Sequence, residues 1–440
     1  MGRLIRGLPA ARWTIIALSL VGVFGYLYLG STRDTTGWTR DVPWRPTISP
    51  FELQRGLPGD KVVIYEQGIH DEVVGALAYT LHKAGVDPLL ICQFRYSFAD
   101  VLRDIYPART ESPYGSGATI NKRLEEDSIE YLVLSTCSSS LPLLKESILR
   151  SNVHVVCVVH HSGPALYHKH KQDWSPLAEQ GRLTLVMLGD HVALEVRKDI
   201  EIWAENEESR IWENVPIQVL LPIFPYTPST LLTPPPVFPS RAIVQGNIEH
   251  GRRNYRKLFE HLHQSLLADA GVWGYEPVKA GSPAVPKKGE DASPFQLLLL
   301  GQRPKDSTIT VPVELENIVQ IHEGLAYPEF YAMIATSDII LPAFAQQGPY
   351  FETTSSSIAA AVIGRVPVLG SSRLLRAYTY LDGPSFLHRN ISESEISALR
   401  RMRVDPVSTG SRDVRAAKEW QKLHDGILAK NLDMWRRVLL

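Results

Sequence analysis

The residues most able to do chemistry fall into three groups. The first is a hydroxyl run, Thr353, Thr354, Ser355, Ser356 and Ser357, placed where a helix over 356–363 should begin. A helix start leaves backbone N–H groups without intrahelical partners, and hydroxyls beside them complete an anion site. The second group is cationic: Arg252 and Arg253 follow Gly246 and Asn247 into a helical stretch over 254–267, with Lys257 just beyond. Glycine after a buried strand admits a ligand close to the backbone, and arginine suits a diphosphate. The third group is imidazole and carboxylate. Glu66, His70 and Asp71 follow one apolar strand, His160 and His161 end another, and His322 ends a third. A histidine paired with Asp71 or Glu66 can take a proton from a hydroxyl. Plainer roles compete in each group: solvated helix-face charge, an ordinary N-cap, a structural loop histidine.

Positioning these residues falls to strands that are apolar throughout, at 61–65 (KVVIY), 88–92, 131–134, 153–159 (VHVVCVV) and 183–188. Helical spacing over 73–83, 141–149 and 192–203 alternates with them, and 99–120 reads as a loop-rich excursion. That alternation predicts a parallel sheet covered on both faces, with its ligand site beyond the carboxyl ends of the strands. Adjacent residues of an extended chain point in opposite directions, so His160 and His161 remain rivals. A proline-rich stretch at 216–239 (PIQVLLPIFPYTPSTLLTPPPVFP) reads as a last strand entering a stiff linker.

The pattern then restarts. Strands are expected at 241–245 (RAIVQ), 295–300 (FQLLLL), 318–321, 338–341 and 366–369, and helices at 254–267, 327–335 and 356–363. The polar stretch 271–294 reads as a surface insertion, and helical patterns at 393–402 and 412–428 as a tail near the domain junction.

Bulk properties narrow the function. A chain of 440 residues predicts two domains of roughly 150–200 residues each. A formal net charge of -1 without a polybasic block argues against nucleic acid as a partner. The three cysteines, Cys92, Cys137 and Cys157, lie in apolar surroundings without C-x-x-C spacing, which predicts buried thiols. No D-x-D triplet or metal-ligand cluster occurs, so no metal is expected, and no G-x-G-x-x-G follows a strand, which disfavours a dinucleotide cofactor.

The amino terminus carries an uncharged apolar run of 18 residues, 13–30 (WTIIALSLVGVFGYLYLG), preceded by Arg3, Arg6 and Arg12. At about 1.5 Å per residue it spans roughly 27 Å, enough for a thin bilayer. It exceeds the usual apolar region of a cleaved signal, and Tyr26 and Tyr28 make a poor cleavage site. The expectation is a single-pass type II protein of the Golgi or endoplasmic reticulum: tail 1–12, anchor 13–30, stem 31–60, body in the lumen. The sequon Asn390-Ile391-Ser392 becomes usable in that setting.

From about 61 to 381 the chain resembles glycosyltransferases with two Rossmann-like domains (GT-B fold). The element VQGNIEHGRRNYRKLFEHL is similar to the family's donor-diphosphate element. Gly246 matches its glycine, Asn247 stands where arginine is often found, and Arg253 or Lys257 matches the basic partner. FYAMIATSDIILPAF with SSSIAAAVIGRVPVL is similar to the donor-site region, where Asp338, Pro342, Pro367 and Val368 fall into place. A departure is the family's ribose-holding glutamate, whose position is taken by Ser357 or Ala360, with Glu352 in the preceding loop. His160 is placed like the strand-end histidine of retaining members, and His70 like the base of inverting ones.

The resemblance implies an α/β protein with two doubly wound domains facing a cleft. An acceptor domain would occupy 61–223, a linker 224–239, a nucleotide-sugar domain 240–390 and C-terminal helices 391–440. It implies metal-independent transfer of a hexose from a nucleotide sugar, as substrate rather than cofactor, to a glycan, protein or lipid hydroxyl. An inactive partner subunit of a lumenal glycosylation complex is the alternative, and a sugar-nucleotide epimerase a third.

Overall fold

The computed structural model describes residues 61–106, 117–162, 164–205, 207–228, 238–289, 293–405 and 414–439. The described residues all fall within one compact unit, Leu53–Leu440. The expected tail, anchor at 13–30 and stem at 31–60 lie outside the described residues. Among the described residues no helix is long and apolar enough to cross a membrane.

The first half alternates as the apolar runs require: β1 (Val62–Glu66), α1 (Asp71–Lys83), β2 (Leu89–Cys92), α2 (Phe98–Ile105), α3 (Gly117–Glu125) and β3 (Tyr131–Leu134). It continues through α4 (Cys137–Arg150), β4 (His154–Val159), α5 (Pro164–Glu179), β5 (Leu183–Met187), α6 (Asp190–Ala204) and β6 (Ile217–Val219). The strands form a six-stranded sheet in the order β2-β1-β3-β4-β5-β6, parallel at every pairing. Ile64 pairs with Leu90 on one side and Val133 on the other. The order reverses between β1 and β3, which opens a crevice at their carboxyl ends.

The second half repeats the architecture: β7 (Arg241–Gln245), α7 (Tyr255–Asp269), β8 (Gln296–Gly301), β9 (Val319–Glu323), α8 (Tyr327–Ala335) and β10 (Ile339–Ile340). Then follow α9 (Ser356–Ile363), β11 (Val368–Gly370), α10 (Ser372–Ala377), β12 (Phe386–His388), α11 (Glu395–Val404) and α12 (Val414–Leu439). This sheet also has six parallel strands, ordered β12-β11-β10-β7-β8-β9, and reverses between β7 and β10. Asp338 braces the entry of β7: its Oδ2 accepts from Ser240 N (2.8 Å), Ser240 Oγ (3.0 Å) and Arg241 N (2.9 Å). At the exit of β8, a Cβ on Gly301 would lie 2.0 Å from Gly246 O, so only glycine permits this approach.

The two halves share one apolar core. Phe98 packs on Phe224 and on Tyr327, and Phe224 on Tyr331. The last helix, α12, returns to the first half. Trp435 Nε1 donates to Thr80 Oγ1 (2.9 Å), and the Asn431 amide clamps Leu221 through its N and O, both at 2.9 Å.

Several expectations are corrected. The excursion at 99–120 holds α2 and the start of α3, because Phe98, Val101, Leu102 and Ile105 recur on one helical face and are buried. The insertion at 271–294 is not wholly superficial: Trp273, Tyr275 and Ala284 are buried, and Tyr275 Oη donates to Phe295 O at 2.8 Å. Helices α5 and α10 and strand β12 were not expected. Cys137 and Cys157 are not free thiols but a disulfide, with Cα atoms 5.1 Å apart, while Cys92 is free and buried. Helix α4 begins beside β4, which brings the two sulfurs together.

Candidate functional site

The carboxyl ends of β1, β3 and β4 build one wall. Glu66, last in β1 and buried, accepts from Gln67 N and Ile69 N through Oε1, both at 2.9 Å. Its Oε2 accepts from Thr136 Oγ1 (2.7 Å) and from Ser135 Oγ. Four donors saturate a carboxylate. Glu66 therefore shapes the 67–70 loop and ties it to the β3–α4 junction.

At the end of that loop the His70 ring stacks on His160, with centroids 3.9 Å apart and 21° between planes. His160 Nε2 lies 2.6 Å from Ser135 O. A carbonyl only accepts, so Nε2 carries the proton. Burial, joined by the charge of His70, lowers the His160 pKa to about 3. Burial, joined by Arg252, lowers that of His70 to about 4. Both rings are therefore neutral near pH 7, and Nδ1 of His160 has no proton.

Asp71 opens α1 and is buried. Its Oδ2 accepts from Arg95 N at 3.1 Å, while Oδ1 finds no hydrogen-bond partner among the described residues. Burial raises its pKa to about 7, opposed by the Arg95 N–H. The structure brings His70 to His160, and not to the carboxylate of Asp71 or Glu66.

The ends of β7 and β10 build the facing wall. Gly246 follows β7 with φ +126°, and a Cβ there would meet Arg253 Nη2 at 2.8 Å. Arg253 is only 5% exposed. Its Nε and Nη2 donate to Gln245 O at 3.1 and 2.8 Å, and Nη2 also donates to Ser357 Oγ at 2.6 Å. Ser357 Oγ donates in turn to Gln245 O at 2.9 Å, and the guanidinium lies over the Phe344 ring. Arg253 and Ser357 thus lock the exit of β7 to the start of α9. Arg252 turns outward: it is solvent-exposed, pairs with Glu249 at 2.6 Å, and its charge reaches His70. Lys257 is exposed, with its N–H capped by Asn254 Oδ1 at 3.3 Å, and Asn247 is half-buried.

At the start of α9, Ser355 takes the N-cap position in extended backbone but makes no side-chain cap bond; its N–H donates to Tyr378 Oη at 3.0 Å. Ser356 is exposed, and Thr354 Oγ1 is buried without a hydrogen-bond partner among the described residues. His322 lies on the edge strand β9, with β8 between it and β7. Its Nε2 is buried without a hydrogen-bond partner among the described residues, and burial and Arg241 lower its pKa.

The walls meet at one side of the crevice. Glu352 O accepts from Ser162 N (2.8 Å) and Ser162 Oγ (3.1 Å), and His161 bridges to Thr353 in antiparallel fashion. His191 Nε2 donates to Thr353 O at 3.1 Å, and Thr379 Oγ1 to Asp190 Oδ2 at 2.6 Å. Glu352 is thereby fixed by its main chain against the first domain. Sequence reasoning missed Ser135, Thr136, Ser162, His191 and Phe344. The strand-end rule that selected Glu66 reaches Ser135 and Thr136; the others follow only from the fold. Among the described residues no group of His, Cys, Asp or Glu side chains is arranged to hold a metal ion.

Two doubly wound parallel sheets facing one crevice are the two-Rossmann-domain, GT-B-like architecture that the motifs resemble. No family model and no curated protein matches the chain. Among solved structures it is similar to a glycosyltransferase from Rickettsia africae, at 13% identity over 86% of this chain and 99% of that one (TM-score 0.49). It is similar to sucrose-phosphate synthase from Thermosynechococcus elongatus, at 12% identity over 86% and 99% (TM-score 0.49). It is also similar to a pneumococcal O-GlcNAc transferase in complex with UDP and GlcNAc, at 12% identity over 74% of this chain and 60% of that one (TM-score 0.44).

Proposed function

We propose that the protein is a nucleotide-sugar-dependent glycosyltransferase that moves a hexose, without a metal ion, to a hydroxyl of a glycan, protein or lipid. The observation that carries this reading is the neutral His70–His160 pair of one domain with Arg252 of the other close enough to shift His70. The second domain takes the donor. Its diphosphate rests against Arg252 and the first-turn N–H groups of α9 at Ser356 and Ser357, while Arg253 and Ser357 hold those elements in place.

His70 is the base. The acceptor O–H bond breaks, its proton goes to His70, and its oxygen bonds to the anomeric carbon as the sugar–diphosphate bond breaks. His160, anchored on Ser135 O, fixes the plane of the His70 ring. Burial, joined by the Arg252 charge, makes His70 a poor base in the free protein. A bound diphosphate offsets that charge, so His70 gains basicity when the donor is in place. Attack assisted by a base on the acceptor inverts the anomeric centre.

Binding and hydrolysis of uridine, guanosine and adenosine diphosphate sugars test the reading. One donor class should bind and release its nucleoside diphosphate, and His70→Ala should lower turnover by about 10²- to 10⁴-fold while donor affinity holds. Absence of binding to every donor would overturn the assignment. Donor binding without transfer or hydrolysis by the unaltered protein would indicate a non-catalytic partner subunit.

A further inference from the structure

Asn390-Ile391-Ser392 is the chain's single N-x-Ser/Thr sequence, and the function proposed above does not use it. It occupies the turn between β12 and α11, on the edge strand of the second sheet. All three residues are exposed, and Ile391 is 74% exposed. The turn holds without the Asn390 amide. Glu393 N donates to Asn390 O at 3.1 Å, and Asn390 N to Glu393 Oε2 at 3.2 Å. Arg401 anchors Glu393 from α11 at 3.1 and 3.2 Å, and Arg389 Nη1 donates to Glu393 O at 2.6 Å. A bulky group on Asn390 Nδ2 therefore displaces no bond and no packed side chain among the described residues. It would instead shield an apolar side chain that the fold leaves in water.

An independent observation bears on the compartment. Cys137 and Cys157 form a disulfide inside the first domain, a bond that persists on the oxidising side of a membrane. The apolar run at 13–30, with arginines before it, would place the body on that same side.

We propose that Asn390 is a site of N-linked glycosylation and that the body of the protein resides in the lumen of the secretory pathway. The Asn390 Nδ2–H bond breaks with loss of the proton. Nδ2 bonds to the anomeric carbon of an oligosaccharide, and the oligosaccharide leaves its lipid diphosphate carrier.

The test is translation of the full chain with microsomal membranes, followed by protease protection, endoglycosidase digestion and gel mobility. A single endoglycosidase-sensitive shift is expected on a protease-protected chain, lost in Asn390→Gln and in Ser392→Ala. Ser392→Thr should keep it, which separates loss of the sequon from disturbance of the turn. A protected chain without a shift would overturn the glycosylation site. A chain digested outside the membranes would overturn the lumenal placement, whatever its activity on nucleotide sugars.

Discussion

His70 and His160 stack face to face at 3.9 Å, and their charges are coupled: each ring loses basicity through burial, and His160 also through His70. In the unfolded chain both titrate near 6.5; in the folded protein they do so at about 4 and about 3. Across that window the unfolded chain holds more protons. The stability from the neutral pair is therefore complete above 6.5 and lost as pH falls toward 4. Asp71 works oppositely, because burial raises its pKa to about 7 and its stabilising share is lost as pH rises toward that value. Imidazole NMR titration separates the two. It should show midpoints for His70 and His160 far below the ordinary value, and a His160→Gln variant should lose less stability between pH 6.5 and 4.5. An ordinary midpoint for either ring contradicts the buried stack.

Arg252 and Arg253 are adjacent in sequence and opposite in role. Arg253→Ala strips Gln245 O and Ser357 Oγ of a buried cationic donor and should cost about 3 kcal/mol in denaturant unfolding. Among the described residues the Arg252 side chain forms one exposed ion pair, with Glu249, so Arg252→Ala should change stability by less than about 0.5 kcal/mol. It should raise the His70 midpoint by removing a like charge, and weaken donor affinity. The reverse pattern, with stability falling in Arg252→Ala alone, would contradict the assignment of inward and outward arginines.

Glu66 fixes the loop that carries His70. Glu66→Ala leaves two backbone N–H groups and two hydroxyls without their acceptor and should cost about 3 kcal/mol or more. Glu66→Gln keeps an oxygen for Gln67 N and Ile69 N, and the Ser135 and Thr136 hydroxyls can turn to accept from the new amide. It should fold with a smaller loss, read as a shift in the urea midpoint at unchanged slope. Equal losses in both variants would show that charge, rather than acceptor count, holds the loop.

Much of the fold was legible because strands that are apolar throughout alternate with helical stretches, a pattern that suits a doubly covered parallel sheet. The missed pieces were short or gave conflicting signals. Strand β12 has three residues, and α2 follows a turn in which Tyr96 and Ser97 have positive φ, although Phe98, Val101, Leu102 and Ile105 carry a helical period. At the site, the strand-end rule found Glu66, His70 and His160. The contacts themselves were out of reach, because Ser135, Gln245, Glu352 and Thr353 accept through main-chain carbonyls, which leave no mark on residue type, although Glu352 and Thr353 stand out by their side chains. Nor does the sequence distinguish Arg252 from Arg253; the direction of each follows from how β7 enters α7.

The disulfide was invisible for a related reason, since 20 positions separate Cys137 from Cys157 in sequence and only the β3–α4–β4 path joins them. Its place gives it a second consequence. Cys137 directly follows Ser135-Thr136, which hold Glu66 and anchor His160, and Cys157 lies on the strand that leads to His160. Replacing both cysteines by serine should cost about 2–4 kcal/mol, from lost loop restraint together with two hydroxyls placed in an apolar core. Alkylation of the denatured, unreduced protein should label Cys92 alone. Labelling of all three cysteines would show that the bond is absent. In the double variant the Ser135 carbonyl should hold His160 less firmly, and because that bond raises the His160 pKa against burial, the His160 midpoint should fall further while that of His70 stays in place. If stability falls while both midpoints stay in place, the disulfide secures the core without positioning the histidines.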